Sequence, residues 1–291
     1  MPDAMPLLIT ITLTPSGADQ ATLVDALSRL TVDDPCSGWS RKASGEIILE
    51  AIDEMHLDRL VDELRRGFAG ALDIGAPQVA YRKTIGSSIE IAATHKKLTA
   101  DSGEFAKVKL RFEPLPDGGG LLFANAAPDM PEEFVRGIER GAESVLTRSA
   151  HAEFPMDVKL ILLDAAHHAT DSSAKAFELA AQMATETALE RAGAILLEPI
   201  MTVEVMIPTE FVGSVVGDLK SRRGEIQRKR SQSDQTVIDA RVPLANLFGY
   251  PLQLRAFGAG RGVFRMRFDC YERVPSPDDD PPFRPAVGMR A

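Results

Sequence analysis

Residues 162–173, LLDAAHHATDSS, place His167 and His168 between Asp164 and Asp171. Imidazole and carboxylate groups bind metals and carry protons, so the cluster has the residue types of a metal centre or an acid–base pair. Geometry narrows that reading. Adjacent residues on a strand point to opposite faces, so both histidines reach one ion only where the backbone turns sharply. The competing reading is a polar strand-to-helix loop in which Asp171, Ser172 or Ser173 caps the helix that follows. Imidazole and carboxylate also hydrogen-bond to RNA, which suits a contact loop.

Other chemistry-bearing stretches are fewer. In residues 95–105, HKKLTADSGEF, His95 adjoins Lys96 and Lys97, which reads as a second exposed loop with a basic approach. His56 lies inside a helical pattern, as a buried polar residue or at an interface with another module. Residues 219–230, LKSRRGEIQRKR, gather Lys220, Arg222, Arg223, Arg228, Lys229 and Arg230 against the single Glu225. Such a run is either a patch for RNA phosphates or a solvated helix end and charged edge strand. No GxxxxGK[ST] phosphate loop occurs. Gly213 and Gly217 fall within a helical pattern, where close packing is expected. The GAGRG of 258–262 lies between helix and strand, the reverse of a phosphate loop. Trp39 reads as core, and aromatics at 6% give little support to a base-stacking surface.

Composition bounds the chain. It has 291 residues, 44% hydrophobic and 26% charged, as in globular proteins of two or three domains. No apolar run approaches the roughly 18–20 residues of a membrane helix, so no membrane is expected. The N-terminus lacks a signal-peptide pattern. Cys36 and Cys270 are far apart in sequence, which excludes a disulfide framework and favours a reduced, cytoplasmic setting. A net charge of −9 argues against a protein that coats nucleic acid by itself, but not against docking on an RNA–protein assembly through local basic patches.

Periodicity supplies the elements that must position these groups. LLITITL alternates as a strand, and residues 17–31 form a helix with Leu23, Leu27 and Leu30 on one face. WSRKAS and GEIILEAI pair around Ser44-Gly45. DEMHLDRLVDELRRGF places Leu57, Leu60, Val61, Leu64 and Phe68 on one helical stripe, and ALDI closes the unit. The order βαββαβ is the split βαβ, or ferredoxin-like, arrangement. It returns after residue 200: strand MTVEVMIP, helix TEFVGSVVGDLKSRR, paired strands GEIQRKRSQ and QTVIDARVP, a partly helical LANLFGYPLQLRAF, and strand GVFRMRFDCY. Between the repeats, strands are expected at 87–94, 106–113, 120–125, 156–163 and 194–197, with helices at 131–148 and 173–192. Gly75, Pro77 and Pro199 are hinge signals. Four regions result: a ferredoxin-like domain 5–79, a middle α/β domain 80–197, a second ferredoxin-like domain 198–274, and a disordered Pro- and Asp-rich tail 275–291.

Eight stretches resemble, in order and at matching distances, the C-terminal three domains of the translational GTPase elongation factor G. They are DEMHLDRLVDELRR (53–66), GAPQVAYRKTI (75–85), HKKLTADSGEF (95–105), HHATDSSAKAF (167–177), LLEPIMTVEVMIP (196–208), VVGDLKSRRGEIQ (215–227), LFGYPLQLR (247–255) and GRGVFRMRFDCYERVP (260–275). The resemblance implies an α+β chain in which two ferredoxin-like domains flank a ribosomal-protein-like α/β domain with a left-handed βαβ crossover, against the usual handedness. It also implies tip loops facing transfer RNA and messenger RNA in the decoding region of the ribosome. His168, with Asp171 and Ser172, occupies the family's tip position and His167 replaces a neighbour that is more often Tyr. Leu98, Thr99, Ala100, Asp101, Ser102 and Gly103 form a companion loop with less glycine than is common. The basic patch would face ribosomal RNA. The family's GTPase and second domains are missing, so the chain looks like an excised fragment or truncated product with no cofactor of its own. GTP and Mg²⁺ would belong to the full-length parent, and a GTPase module would act in cis or trans. A monomer acting in translocation or ribosome recycling is expected. The alternatives are a stand-alone ribosome-protection or recycling accessory that lost its GTPase, and a metal-dependent enzyme around 164–171.

Overall fold

A computed structural model describes residues 6–15, 20–32, 34–42, 45–68, 70–98, 103–115, 119–148, 154–168 and 170–275. The chain divides after residue 80 and after residue 197. The described residues of 6–80 and 198–270, with Pro275, make one compact unit, and those of 81–197 with 271–274 make the other; the tail expected beyond residue 275 lies outside the described residues. The first and last segments, read from the sequence as separate domains, therefore fall in one unit, and residues 271–274 group with the middle segment.

In the first unit, β1 (Ile9–Pro15), α1 (Gln20–Val32), β2 (Ser37–Arg41), β3 (Ile47–Ala51), α2 (Glu54–Gly67) and β4 (Leu72–Ile74) build an antiparallel sheet ordered β2-β3-β1-β4. A short β5 (Gln78–Val79) adds to β1. Ile9, Ile11 and Leu13 alternate inward on β1, and Leu23 and Leu27 of α1 and Leu57, Leu60, Val61 and Leu64 of α2 are buried in the same unit. Each fully buried Leu contributes about 1.5–3 kcal/mol. Asp53 caps α2 by accepting from His56 N at 2.7 Å, and Glu54 and Arg65-Arg66 suit the two ends of its dipole. His56 is buried and its Nε2 lies 2.8 Å from Asp34 Oδ2, so the buried reading holds. Trp39, opposite Leu49 on β3, is only partly buried and stands outside the core expected for it. Ser44 of the expected hairpin turn lies outside the described residues.

The topology repeats in the same unit. β11 (Ala194–Pro208), α5 (Val212–Ser221), β12 (Glu225–Gln232), β13 (Gln235–Pro243), α6 (Tyr250–Phe257) and β14 (Val263–Arg273) follow the same βαββαβ order, with β12-β13-β11 consecutive and β14 on β11. Val203, Val205 and Ile207 alternate inward on β11, with Ile238 beside Val205 on β13, and Val215 and Leu219 of α5 and Leu254 of α6 are buried as well. Pro199, expected at a hinge, lies inside β11 and is buried. Its ring removes only one backbone donor, so the strand runs through it.

The second unit contains β6 (Arg82–Ile85), β7 (Ile89–Leu98), β8 (Gly103–Pro114), β9 (Leu121–Asn125), α3 (Glu132–Arg148), β10 (Met156–Ala166) and α4 (Ala174–Ala192). The sheet order is β7-β8-β10, with β9 parallel to β10. β9–α3–β10 is thus the parallel unit to which the resemblance assigns its crossover. Inward residues Ile91, Val108, Leu110, Phe112, Val158, Leu160 and Leu162 pack with α3 and α4. The helices touch closely because Gly137 and Gly141 lie against the carbonyls of Ala174 and Glu178, where a Cβ would collide. On α4 the matching residues are small: Ala176, Ala180, Ala181, Ala184 and Ala188 are all buried. Beneath the sheet Arg82 chelates the fully buried Asp157, which also accepts from Gly120 N at 2.7 Å. The Tyr271 ring lies under the same guanidinium, 5.9 Å from centroid to Cζ.

Candidate nucleic-acid interface

The 167–173 loop starts where β10 ends, and Ser173 starts α4 by accepting from Ala176 N at 3.2 Å. It does not stand alone. Phe105 N donates to Asp171 O at 2.7 Å, and Ser172 Oγ donates to Phe105 O at 2.6 Å while accepting from His168 N at 2.8 Å. Gly103, facing Leu98 across the β7–β8 hairpin, lies so near Asp171 that a Cβ there would come within 3.0 Å of its carboxyl carbon. The two stretches singled out from the sequence are therefore joined through Gly103, Phe105, Asp171 and Ser172. Thr99, Ala100, Asp101 and Ser102 lie outside the described residues. Phe105 and Thr170 are additions that the sequence did not single out, although both lie inside the quoted stretches.

The histidine doublet diverges. His167 turns toward Phe134, with ring centroids 5.8 Å apart at 53°, and Phe134 stacks on Phe177 at 4.9 Å. An aromatic neighbour is thus retained in kind. His168 is 59% exposed, and its Nδ1 lies 3.1 Å from Thr170 Oγ1 and 3.3 Å from Asp171 Oδ2. Asp164 is exposed on β10 opposite Lys109. Among the described residues no three His, Cys, Asp or Glu side chains gather in a set that could hold a metal ion. Of the four residues 164, 167, 168 and 171, only His168 and Asp171 meet, while Asp164 and His167 turn to other partners. His95 Nε2 contacts Glu104 Oε2 at 2.8 Å across the hairpin, and the imidazole, with Lys97 nearby, holds the Glu104 carboxyl below the usual glutamate range.

The basic stretch splits in two. Arg222 bonds to Asp218 at 2.8 Å, to the Asn246 carbonyl at 2.6 Å and to Gln253, and stacks over Tyr250 with Cζ 4.9 Å from the centroid. Burial pushes the Tyr250 hydroxyl up, beyond the usual phenol range. Arg223 adopts φ 61° and grips the buried Glu198 with Nη2 at 2.7 Å. Both arginines, expected to face RNA, hold the fold together instead. Arg230 reaches Asp239 at 3.0 Å but is half exposed, and Lys220, Arg228 and Lys229 are exposed. Gly75 and Pro77 are exposed between β4 and β5, where Gly75 N donates to Thr12 O. Gly213 and Gly217, expected to pack closely, face open space. The 258–262 turn is no nucleotide cradle: a Cβ on Gly258 would meet Ile207 at 2.7 Å, and one on Gly262 would meet Leu254 at 2.9 Å. Gly258 and Gly262 thus serve packing.

Two βαββαβ halves and a sheet-and-two-helix unit with paired loops at one end define an α+β multidomain class. Residues 77–193 match the family model described as elongation factor G, domain IV, and residues 195–280 match that of the elongation factor G C-terminus. Elongation factor G of Paracoccus denitrificans is 47% identical over 264 residues, covering 89% of this chain and 37% of that protein. Its counterpart in Ehrlichia chaffeensis is 46% identical, covering 89% and 38%. A crystal structure from Thermus thermophilus superposes with a TM-score of 0.68 at 31% identity, covering 94% of this chain and 42% of that one. The chain belongs to the elongation factor G family and corresponds to its C-terminal domains. It spans under two fifths of the length of the curated relatives it matches.

Proposed function

We propose that the chain is the ribosome-binding C-terminal portion of an elongation factor G-type protein, acting in translocation of transfer RNA and messenger RNA or in ribosome recycling. The observation that carries this reading is the joined pair of loops, 98–105 and 167–173, at one end of a unit matching domain IV of that family. Leu98, Gly103, His168, Asp171 and Ser172 are assigned to the contact with transfer RNA in the decoding region, with His167 as a buttress. Thr99, Ala100, Asp101 and Ser102 complete the companion loop. Lys220, Arg228, Lys229 and Arg230 are assigned to ribosomal RNA. GTP and Mg²⁺ are assigned to a GTPase module outside these residues, acting in cis or trans, so the chain itself carries no catalysis. A monomer working in the cytoplasm fits this role. No described helix is long and apolar enough to cross a membrane. Co-sedimentation of the purified chain with ribosomes at low and moderate salt tests the proposal; absence from the ribosome pellet at both would sink it.

A further inference from the structure

We infer that Asp171 and Thr170 fix the tautomer of His168, so that the tip offers a bare Nε2 acceptor and recognises a hydroxyl or amino donor rather than a backbone phosphodiester. The protons around Nδ1 can be counted. Thr170 Oγ1 donates its one hydrogen to Asp171 Oδ1 at 3.0 Å and so turns a lone pair toward Nδ1 at 3.1 Å. The other Asp171 oxygen lies 3.3 Å from the same nitrogen. Two acceptors therefore face Nδ1. A lone pair there would oppose both, whereas an N–H donates to Thr170 Oγ1 and is attracted to the nearby Asp171 carboxylate, which accepts only. A neutral imidazole protonated on Nδ1 carries its lone pair on Nε2.

The backbone holds this arrangement in place. His168 N is tied to Ser172 Oγ, and Asp171 O to Phe105 N, so the ring and its carboxylate are anchored on one loop that is itself bonded to the β7–β8 hairpin. With Nδ1 engaged and the ring more than half exposed, Nε2 has no hydrogen-bond partner among the described residues and is the functional atom. A backbone phosphodiester, which only accepts, gains nothing from a bare Nε2. A ribose 2′-hydroxyl or an exocyclic base amine donates to it, and the hydroxyl would let the tip tell RNA from DNA. Asp171 and Thr170 are positioning residues here, because they act through His168. This inference rests on the reading of the tip as an RNA contact.

The tautomer is directly readable by long-range ¹H–¹⁵N correlation of the imidazoles in the ¹⁵N-labelled chain, near pH 8, above the ordinary histidine pKa of about 6.5. His168→Gln identifies the resonances by their loss. The wild-type chain is expected in the Nδ1–H form. Asp171→Asn is nearly isosteric but supplies an N–H donor toward Nδ1, so it should invert the tautomer ratio by roughly tenfold or more. A wild-type His168 protonated on Nε2 overturns the inference by itself, whether or not the variant folds; so does an unchanged ratio in a folded Asp171→Asn. A single-stranded RNA should shift the Nε2 resonance, and dimethyl phosphate, a diester with no hydroxyl to donate, should not. The 2′-deoxy strand of the same sequence separates a 2′-hydroxyl partner (no shift) from a base amine (shift kept). RNA that leaves the resonance unmoved, or dimethyl phosphate that moves it equally, overturns the donor assignment. Ribosome co-sedimentation reads the proposed function separately: a chain that pellets but carries Nε2–H keeps that function and loses this inference.

Discussion

Ser172 carries more of the tip than its size suggests, since one hydroxyl accepts from His168 N and donates to Phe105 O. Ser172→Ala removes both links and leaves a part-buried carbonyl without that donor, a loss of about 1 kcal/mol. Faster amide exchange at His168, by about fivefold, is the expected reading, with the second unit otherwise as protected as before. Glu104 gives a pH-dependent counterpart. Its folded pKa is depressed by His95 first and Lys97 after it, so its contribution is present above the ordinary glutamate value of 4.5 and fades as pH falls through the lower folded value. A carboxyl titration followed by NMR should place the Glu104 midpoint below that of an unpaired glutamate, and His95→Ala should return most of the shift.

At the level of elements, the contact between α3 and α4 depends on what two glycines lack. Gly141→Ala gains about 1 kcal/mol in helix propensity but drives a methyl into the Glu178 carbonyl and Ala181. Overpacking of this kind costs about 1–3 kcal/mol, so the net change should be destabilising, read as a lower denaturant midpoint. The exposed Gly217 of α5 is the control: Gly217→Ala should stabilise or leave the midpoint unchanged, because nothing lies within 4 Å of the added carbon. A helical glycine reads alike in sequence at both places. Only the neighbour across the gap separates them.

For the whole chain, charge is distributed by role. Asp157 is fully buried and bound by Arg82 and Gly120 N, so Asp157→Ala strands a guanidinium and should cost about 3–5 kcal/mol, seen as a large drop in the melting temperature. The exposed Lys220, Arg228 and Lys229 should behave differently. Changing each to Gln should leave melting unchanged but weaken ribosome association, lowering its salt-dependence slope by about 1 for each phosphate no longer neutralised. Arg222→Gln, in contrast, should cost stability first, since its guanidinium already bonds to Asp218, Asn246 and Gln253. Local pattern by itself determined a good deal here: the α2 stripe, both βαββαβ orders and a polar, helix-capping turn after β10 all follow from periodicity and capping chemistry within one element, while the structure picked Ser173 among the three candidate caps. The tertiary structure decided the rest. That Pro199 runs inside a strand, that Arg222 and Arg223 turn inward, that His167 leans on Phe134 while His168 meets Asp171, and that Ser172 bonds to Phe105, 67 residues away, each depend on a partner distant in sequence. Residue type limits which bonds a side chain can make, but only the packed chain brings one particular partner within reach.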